Sequence, residues 1–177
     1  MPTELRLRLA EVVDLSFIQQ VFREVLPLYR ELMPGTFEGN IETLDQLIES
    51  EQPFSLTGLS AELIEVAGLP QGFLAWAVLE AGPVYLASLH FLASARRQGL
   101  GGRAMALWEQ SLKMRGFGCI YLLAHREATW AVNFYLKQGY AVLAEEPSAI
   151  LALTGEQIEH LLTPGLLLIG KTFELSP

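Results

Sequence analysis

The chain begins with alternating apolar and polar residues and then changes to a helical spacing. Leucines separated by arginines at 5–9 predict a first β-strand. Asp14 is the predicted N-cap of a following helix, which Pro27 is expected to kink or end. A second helix is predicted from the cap Asn40 to the breaker Pro53.

Three runs rich in β-branched and aromatic residues follow, at 61–66, 73–80 and 84–92. Turn residues separate them at 67–71 and at Gly82-Pro83, which predicts an antiparallel meander. Gly72 to Ala95 carries almost no charge, but the turn in its middle favours two buried strands over a membrane span.

The second half of the chain alternates between helix and strand patterns. Helices are predicted at 101–115 and 129–138, and strands at 119–124, 140–144 and 166–175. Thr154 and Gln157 have the spacing of a capping box. The pattern has no repeat or linker, so we expect one α/β domain covering residues 1–177.

Composition narrows the class of protein. A net charge of −8 argues against a nucleic-acid binder, which would carry a broad basic face. Cys119 is the sole cysteine, so no disulfide within one chain and no thiolate metal site is expected, and a cytoplasmic location fits. The first residues lack the pattern of a signal peptide, and neither a membrane partner nor a metal is expected.

Basic charge and glycine are concentrated in the run Arg96-Arg97-Gln98-Gly99-Leu100-Gly101-Gly102-Arg103, between a predicted strand and a predicted helix. Glycines allow close backbone approach, and the first turn of a helix presents unpaired amides, so the run suits a phosphate. The chain has no Gly-Lys-Ser/Thr, which excludes a Walker-type loop. The run matches a dinucleotide-binding fingerprint only loosely, and the acidic residue that would bind the ribose is missing. Solvated arginines at an ordinary helix start are the remaining alternative.

Two motifs together resemble the GNAT N-acetyltransferase family. The spacing Arg96-x-x-Gly99-x-Gly101 is similar to its pyrophosphate loop, and Ala131-x-x-Phe134-Tyr135-x-x-x-Gly139-Tyr140 is similar to its second signature, about forty residues downstream. The order of predicted elements agrees over nearly the whole chain. The resemblance implies a central mixed, mostly antiparallel sheet of six to seven strands with flanking helices, splayed between the fourth and fifth strands.

The resemblance also implies acetyl-coenzyme A as co-substrate. Backbone amides of Arg97, Gln98, Gly99, Leu100, Gly101 and Gly102 would hold its diphosphate, with the side chains of Arg96 and Arg97 adding charge-assisted bonds. Leu89, His90 and Phe91 would line the pantetheine. Tyr135 would be the general acid that protonates the departing thiolate.

The chain departs from the family pattern at several positions. Ala128 stands where many relatives carry an Asn that binds pantetheine, and Asn133 falls on a different helical face. No carboxylate occupies the fourth- and fifth-strand positions where some relatives place a base. His90 and Glu31 are candidates, so the general base stays unassigned.

The sequence therefore predicts an acetyl-coenzyme A-dependent transferase acting on a primary amine, expected to be a small molecule, by direct attack in a ternary complex. A peptide or protein N-terminal acetyltransferase is one alternative. A non-catalytic acyl-coenzyme A-binding regulatory module is another, because Ala128 and the missing carboxylate favour it. Predicted edge strands and the apolar final segment leave a homodimer open.

Overall fold

The computed structural model describes residues 4–32 and 59–174, with the side chains of residues 29, 30 and 32 excepted. The predicted helix from Asn40 to Pro53 lies outside the described residues. The strands found there are β1 (Leu5–Leu9), β2 (Ser60–Val66), β3 (Leu69–Val78), β4 (Val84–Phe91), β5 (Cys119–His125), β6 (Ala141–Ala144) and β7 (Leu166–Thr172). The helices are α1 (Leu15–Leu32), α2 (Leu100–Met114), α3 (Thr129–Lys137) and α4 (Pro147–Thr154). Short 3₁₀ helices occur at Val12–Asp14, Ala93–Ala95 and Glu156–Leu161.

The strands form one sheet of seven in the order β1-β2-β3-β4-β5-β7-β6. β1 pairs antiparallel with β2, and β7 pairs antiparallel with both β5 and β6. β4 and β5 are parallel, and their register consists of Val84 with Ile120 and Tyr85 with Tyr121. This arrangement confirms the predicted mixed, mostly antiparallel sheet, and the pairing of the fourth and fifth strands ends early, as the splay requires.

Contacts divide the described residues into two compact units, the first within residues 1–75 and 88–108 and the second within 76–87 and 109–177. In the first unit, the apolar face of α1 packs Ile18, Val21 and Val25 against Leu63 and Phe73. These α1 positions recur at helical spacing, which explains why one face is buried.

The opposite face of β2 in the first unit is also covered. Ile64 follows Leu63, so its side chain points to the other side of the strand, where it packs with Leu5, Leu100 and Ala104. Leu100 and Ala104 lie in the first turns of α2. The start of α2 is therefore anchored in an apolar cluster.

The second unit has its own core, formed by buried side chains from the turn after β3, from β4, β6, β7 and α4, and from the adjoining 3₁₀ helix. Its members are Leu79, Tyr85, Ala144, Ile150, Ile158 and Leu168. No helix in the described part of the chain is both long and apolar enough to cross a membrane. Gly72 to Ala95 forms β3 and β4, neighbours in the sheet, as predicted.

Local details differ from the sequence pattern at two places. Of the two outcomes expected at Pro27, the helix does not end there: α1 runs on to Leu32. Pro27 is exposed, so water can bind the carbonyl group that the missing proline N–H leaves unpaired. β3 begins at Leu69, because the two-residue turn Ala67-Gly68 has positive φ at both residues and closes the hairpin earlier.

The predicted capping box at Thr154 and Gln157 does not form. Thr154 ends α4 (Pro147–Thr154), a helix that the sequence pattern did not predict, and its hydroxyl donates to the Ile150 carbonyl at 2.9 Å. Gly155 ends the helix there, because its φ of +75° is not a helical value. The hydroxyl therefore bonds back into the preceding helix instead of capping the next one.

Candidate active site

The backbone between β4 and α2 has the conformation that an anion-binding loop needs. β4 ends at Phe91, a 3₁₀ turn follows, and α2 starts at Leu100. Arg97 and Gly99 have positive φ, at +60° and +73°. The chain thus turns sharply just before the first turn of α2, whose amides lack intrahelical acceptors and carry the positive end of the helix dipole.

The loop is anchored on one side and open on the other. Leu100 is 7% exposed and packs into the first unit's core, whereas Arg97, Gln98 and Gly99 are exposed. The Leu100 side chain is therefore structural, and only its backbone amide can serve a ligand. The side-chain Nε2 of Gln98 donates to the Ser94 carbonyl at 2.7 Å, which steadies the turn and leaves the Gln98 backbone amide out of this bond.

The two neighbouring arginines differ in their surroundings. Nε of Arg96 donates to the Phe91 carbonyl at 3.0 Å, and its Nη2 makes a longer contact of 3.4 Å with the Glu24 carbonyl. The Glu24 carboxylate accepts the Ala93 amide at 2.7 Å. Arg96 and Glu24 therefore brace the entry of the loop against β4 and α1, while Arg97 presents its charge to solvent.

The end of β4 packs into the first unit. Leu89 and Phe91 lie against the cluster around Ile64 and Leu100. The His90 ring lies edge-on to Phe22 at 5.7 Å and to Phe73 at 5.8 Å. Burial, and then the nearby Arg96 charge, lower the pKa of His90 to about 4. A neutral imidazole of such low basicity is a poor acceptor for an ammonium proton, which argues against His90 as the general base.

Tyr135 lies in α3 within the second unit, half-buried. Its ring is edge-on to Phe134 at 5.0 Å and to Tyr140 at 5.6 Å. The Tyr140 hydroxyl donates to Oε1 of the buried Glu109 at 3.0 Å. Burial, followed by the charge and hydrogen bond of Glu109, raises the pKa of Tyr140 well above its usual range, so this phenol stays protonated.

Positions that depart from the family pattern have ordinary structural roles. Ala128 is buried at the N-cap of α3, and Asn133 is exposed. Leu122 of β5 is buried in the sheet. Glu31 is exposed near the end of α1, next to residues that the structure does not describe. Among the described residues, His, Cys, Asp and Glu form no group able to hold a metal ion.

Three polar residues that shape these sites were not predicted from the sequence. Glu109 has the helical spacing of Met105 and Leu112, so a carboxylate on an apolar face was the available signal. Lys171 is the charged residue of the apolar strand β7, which is a similar signal. Glu24 gave no signal, because a Glu in the middle of a surface helix is commonplace.

Comparison with known proteins agrees with this geometry. The sequence model of the Acetyltransferase (GNAT) family matches residues 22–140. The match includes the loop and the Tyr135 motif, so the chain belongs to this family. It is an acetyl-coenzyme A-dependent N-acetyltransferase. A comparison with curated proteins gives no match.

Solved structures share the fold at low sequence identity. The PaiA N-acetyltransferase from Thermoplasma acidophilum, crystallised with coenzyme A, has a TM-score of 0.71 at 16% identity, covering 96% of this chain and 99% of that one. An acetyltransferase from Thermus thermophilus has a TM-score of 0.70 at 18% identity, covering 98% and 100%. A spermidine N-acetyltransferase from Vibrio cholerae has a TM-score of 0.60 at 16% identity, covering 95% and 93%.

Proposed function

We propose that this protein transfers the acetyl group of acetyl-coenzyme A to the primary amine of a small molecule, by direct attack in a ternary complex. The observation that carries the proposal is the loop before α2, where Arg97 and Gly99 have positive φ and the helix begins immediately afterwards. Such a turn presents consecutive amides to a diphosphate.

The coenzyme-binding residues follow from this loop. The amides of residues 97–102 would bind the diphosphate, and the exposed Arg97 side chain would add a charge-assisted bond. Arg96 would contribute its positive charge while keeping its hydrogen bond to Phe91. Leu89 to Phe91 lie beyond the part of β4 that pairs with β5, and on that side they would offer backbone groups to the pantetheine amides.

The reaction needs one proton donor at the thioester. The neutral amine attacks the acetyl carbonyl carbon, and a tetrahedral intermediate forms. Its collapse breaks the carbon–sulfur bond and yields the N-acetyl amine and the coenzyme thiolate. The Tyr135 hydroxyl would protonate that thiolate, because a phenol is a proton donor at neutral pH. The amine nitrogen loses one proton to solvent as the amide forms, and the Tyr135 phenolate regains one proton from solvent, so the protons balance.

Net charge and one protein of similar fold support a cationic small amine as the acceptor. The net charge of −8 favours a cationic acceptor over an anionic one. The spermidine enzyme of similar fold acts on a cationic amine, as its name states. Peptide N-termini are the second candidate acceptor, an alternative that the sequence leaves open.

An acetyl-transfer screen tests the proposal. Release of the coenzyme thiol would be followed with polyamines, amino acids, aminoglycosides and short peptides as acceptors. We expect turnover with at least one small amine and little with peptides. Turnover only with peptides would favour the N-terminal acetyltransferase, and coenzyme binding without turnover on any amine would favour the regulatory module.

We also propose a domain organisation, a cellular location and an oligomeric state. We expect residues 1–177 to act as one acetyltransferase domain in the cytoplasm, where the single Cys119 would stay reduced. A homodimer would use an outer strand of the sheet; β6 is such a strand, and its Val142 and Leu143 side chains are exposed. Light scattering of the purified protein distinguishes a monomer from a dimer.

A further inference from the structure

A nearly fully buried carboxylate lies in the second unit. Glu109 is 7% exposed, and both of its oxygens are engaged: Oε1 accepts from the Tyr140 hydroxyl at 3.0 Å and Oε2 from Lys171 Nζ at 2.7 Å. Removing a charge from water is costly unless it is paired and hydrogen-bonded. An apolar residue at this position would avoid that cost, so the arrangement invites a functional explanation.

Lys171 connects this carboxylate to the end of α3. Its Nζ also donates to the carbonyl of Gln138, the C-cap residue of α3, at 2.8 Å. Gly139 follows with φ at +86°. The Lys171 side chain packs against the side of Gly139 where another residue would carry its Cβ. A positive charge at a helix C-terminus is favourable, because the last carbonyls carry the negative end of the dipole.

Tyr140 connects the carboxylate to Tyr135 itself. The Tyr140 amide donates to the Tyr135 carbonyl at 3.1 Å, and the two rings pack edge-on at 5.6 Å and 66°. Since the Tyr140 hydroxyl is bonded to Glu109, its ring has a fixed orientation. The Tyr135 ring therefore packs against a surface that cannot rotate freely.

The helix that carries Tyr135 has need of such support. α3 has nine residues and none of them is fully buried. Core packing alone therefore fixes this helix weakly, and its C-terminal end depends on the polar contacts of Lys171 and Tyr140.

We propose that Glu109, Tyr140 and Lys171 are positioning residues that hold the Tyr135 hydroxyl in its productive orientation for protonating the coenzyme thiolate. The inference rests on the proposed role of Tyr135. The three residues transfer no proton; they fix the ring contact and the helix end. Positioning matters because a displacement of about 1 Å can cost about a hundredfold in rate.

The test is a double-mutant cycle between Tyr140→Phe and Tyr135→Phe. Tyr140→Phe removes one hydroxyl and leaves Glu109 paired with Lys171. In the wild-type background we expect kcat to fall roughly tenfold, within the range of a small displacement, with KM for acetyl-coenzyme A unchanged. In the Tyr135→Phe background the same change should have no further effect on kcat. Tyr121→Phe is the matched control, because it also removes one phenol hydroxyl, from a half-buried residue of β5.

The outcomes separate the two proposals. If Tyr135→Phe keeps full turnover, the acid role fails, and the positioning role fails with it. If Tyr135→Phe is impaired while Tyr140→Phe is not, or if the two losses multiply, only the positioning role is overturned. If Tyr140→Phe does not fold, Glu109→Gln in both backgrounds replaces it: its amide oxygen still accepts from Tyr140, but the charge that pairs with Lys171 is lost, so the Lys171 contact with the end of α3 is weakened. The same non-additivity is then required.

Discussion

Nε of Arg96 donates a hydrogen bond to the carbonyl oxygen of Phe91 at 3.0 Å. The bond joins the last residue of β4 to the loop that precedes α2. Arg96 is half-buried, whereas Arg97 is exposed. Two adjacent arginines that look equivalent in the sequence are thus expected to differ in function, Arg96 mainly shaping the loop and Arg97 mainly contacting the coenzyme.

Substitution of each arginine by alanine tests this difference. Arg97→Ala should weaken coenzyme A binding by about ten- to a hundredfold, the effect of one charged hydrogen bond of about 1.5–3 kcal/mol, and leave the melting temperature unchanged. Arg96→Ala should lower the melting temperature and weaken binding as well. Calorimetry and thermal unfolding give both quantities, and an unchanged affinity in Arg97→Ala would rule out its contact with the diphosphate.

Tyr135→Phe should slow the chemical step selectively. The ring keeps its packing against Tyr140, so stability and KM for acetyl-coenzyme A should change little. We expect kcat to fall about tenfold to a thousandfold, the range of one positioned acid. Steady-state kinetics across pH measures the effect. Full turnover in a folded variant would mean that another group or water supplies the proton.

The pH profile of the wild-type enzyme tests the absence of a dedicated base. We expect the rate to rise with pH as the acceptor amine loses its proton. With a pKa of about 4, His90 should add no inflection near pH 6.5. A carboxylate substitution that costs more than about a hundredfold in kcat with coenzyme binding intact would contradict this expectation.

His90 should also make stability depend on pH. Its pKa is lowered from 6.5 to about 4 in the folded protein, so between these values the unfolded chain binds a proton that the folded protein does not. The free energy of unfolding should therefore be highest above pH 6.5 and fall as the pH drops towards 4. Urea titrations at several pH values should show a shallower fall in His90→Gln. The exposed His160→Gln is the control and should match the wild type.

Local sequence signals predicted the conformation of the loop before α2. Gly99 and the arginines beside it mark a turn followed by a helix, and both features depend on residues adjacent in the chain. The same holds for β3 and β4, whose apolar runs and intervening turn are local. The predicted strands therefore correspond to the strands of the observed sheet, with differences at their ends.

Long-range polar contacts could not be predicted in this way. Glu109 and Tyr140 are 31 residues apart, and Glu109 and Lys171 are 62 apart, so no local pattern pairs them. Thr154 shows the opposite error: its spacing to Gln157 suggested a cap, but the hydroxyl found a closer acceptor in the helix before it. A short polar side chain chooses among nearby backbone groups according to where the helix ends, which spacing alone does not determine.

The most direct measurement is a calorimetric titration of the protein with coenzyme A, NAD and ATP, repeated on Gly101→Glu and on Ala106→Glu. Both variants add one carboxylate to α2, but only Gly101 lies in the first turn, where the diphosphate would approach. An acidic residue near a helix N-terminus favours the helix, so Gly101→Glu should fold. We expect coenzyme A to bind most tightly to the wild type, binding to be lost in Gly101→Glu, and Ala106→Glu to bind normally. Unchanged coenzyme A affinity in folded Gly101→Glu, or tighter binding of NAD or ATP, would contradict the assignment of this loop.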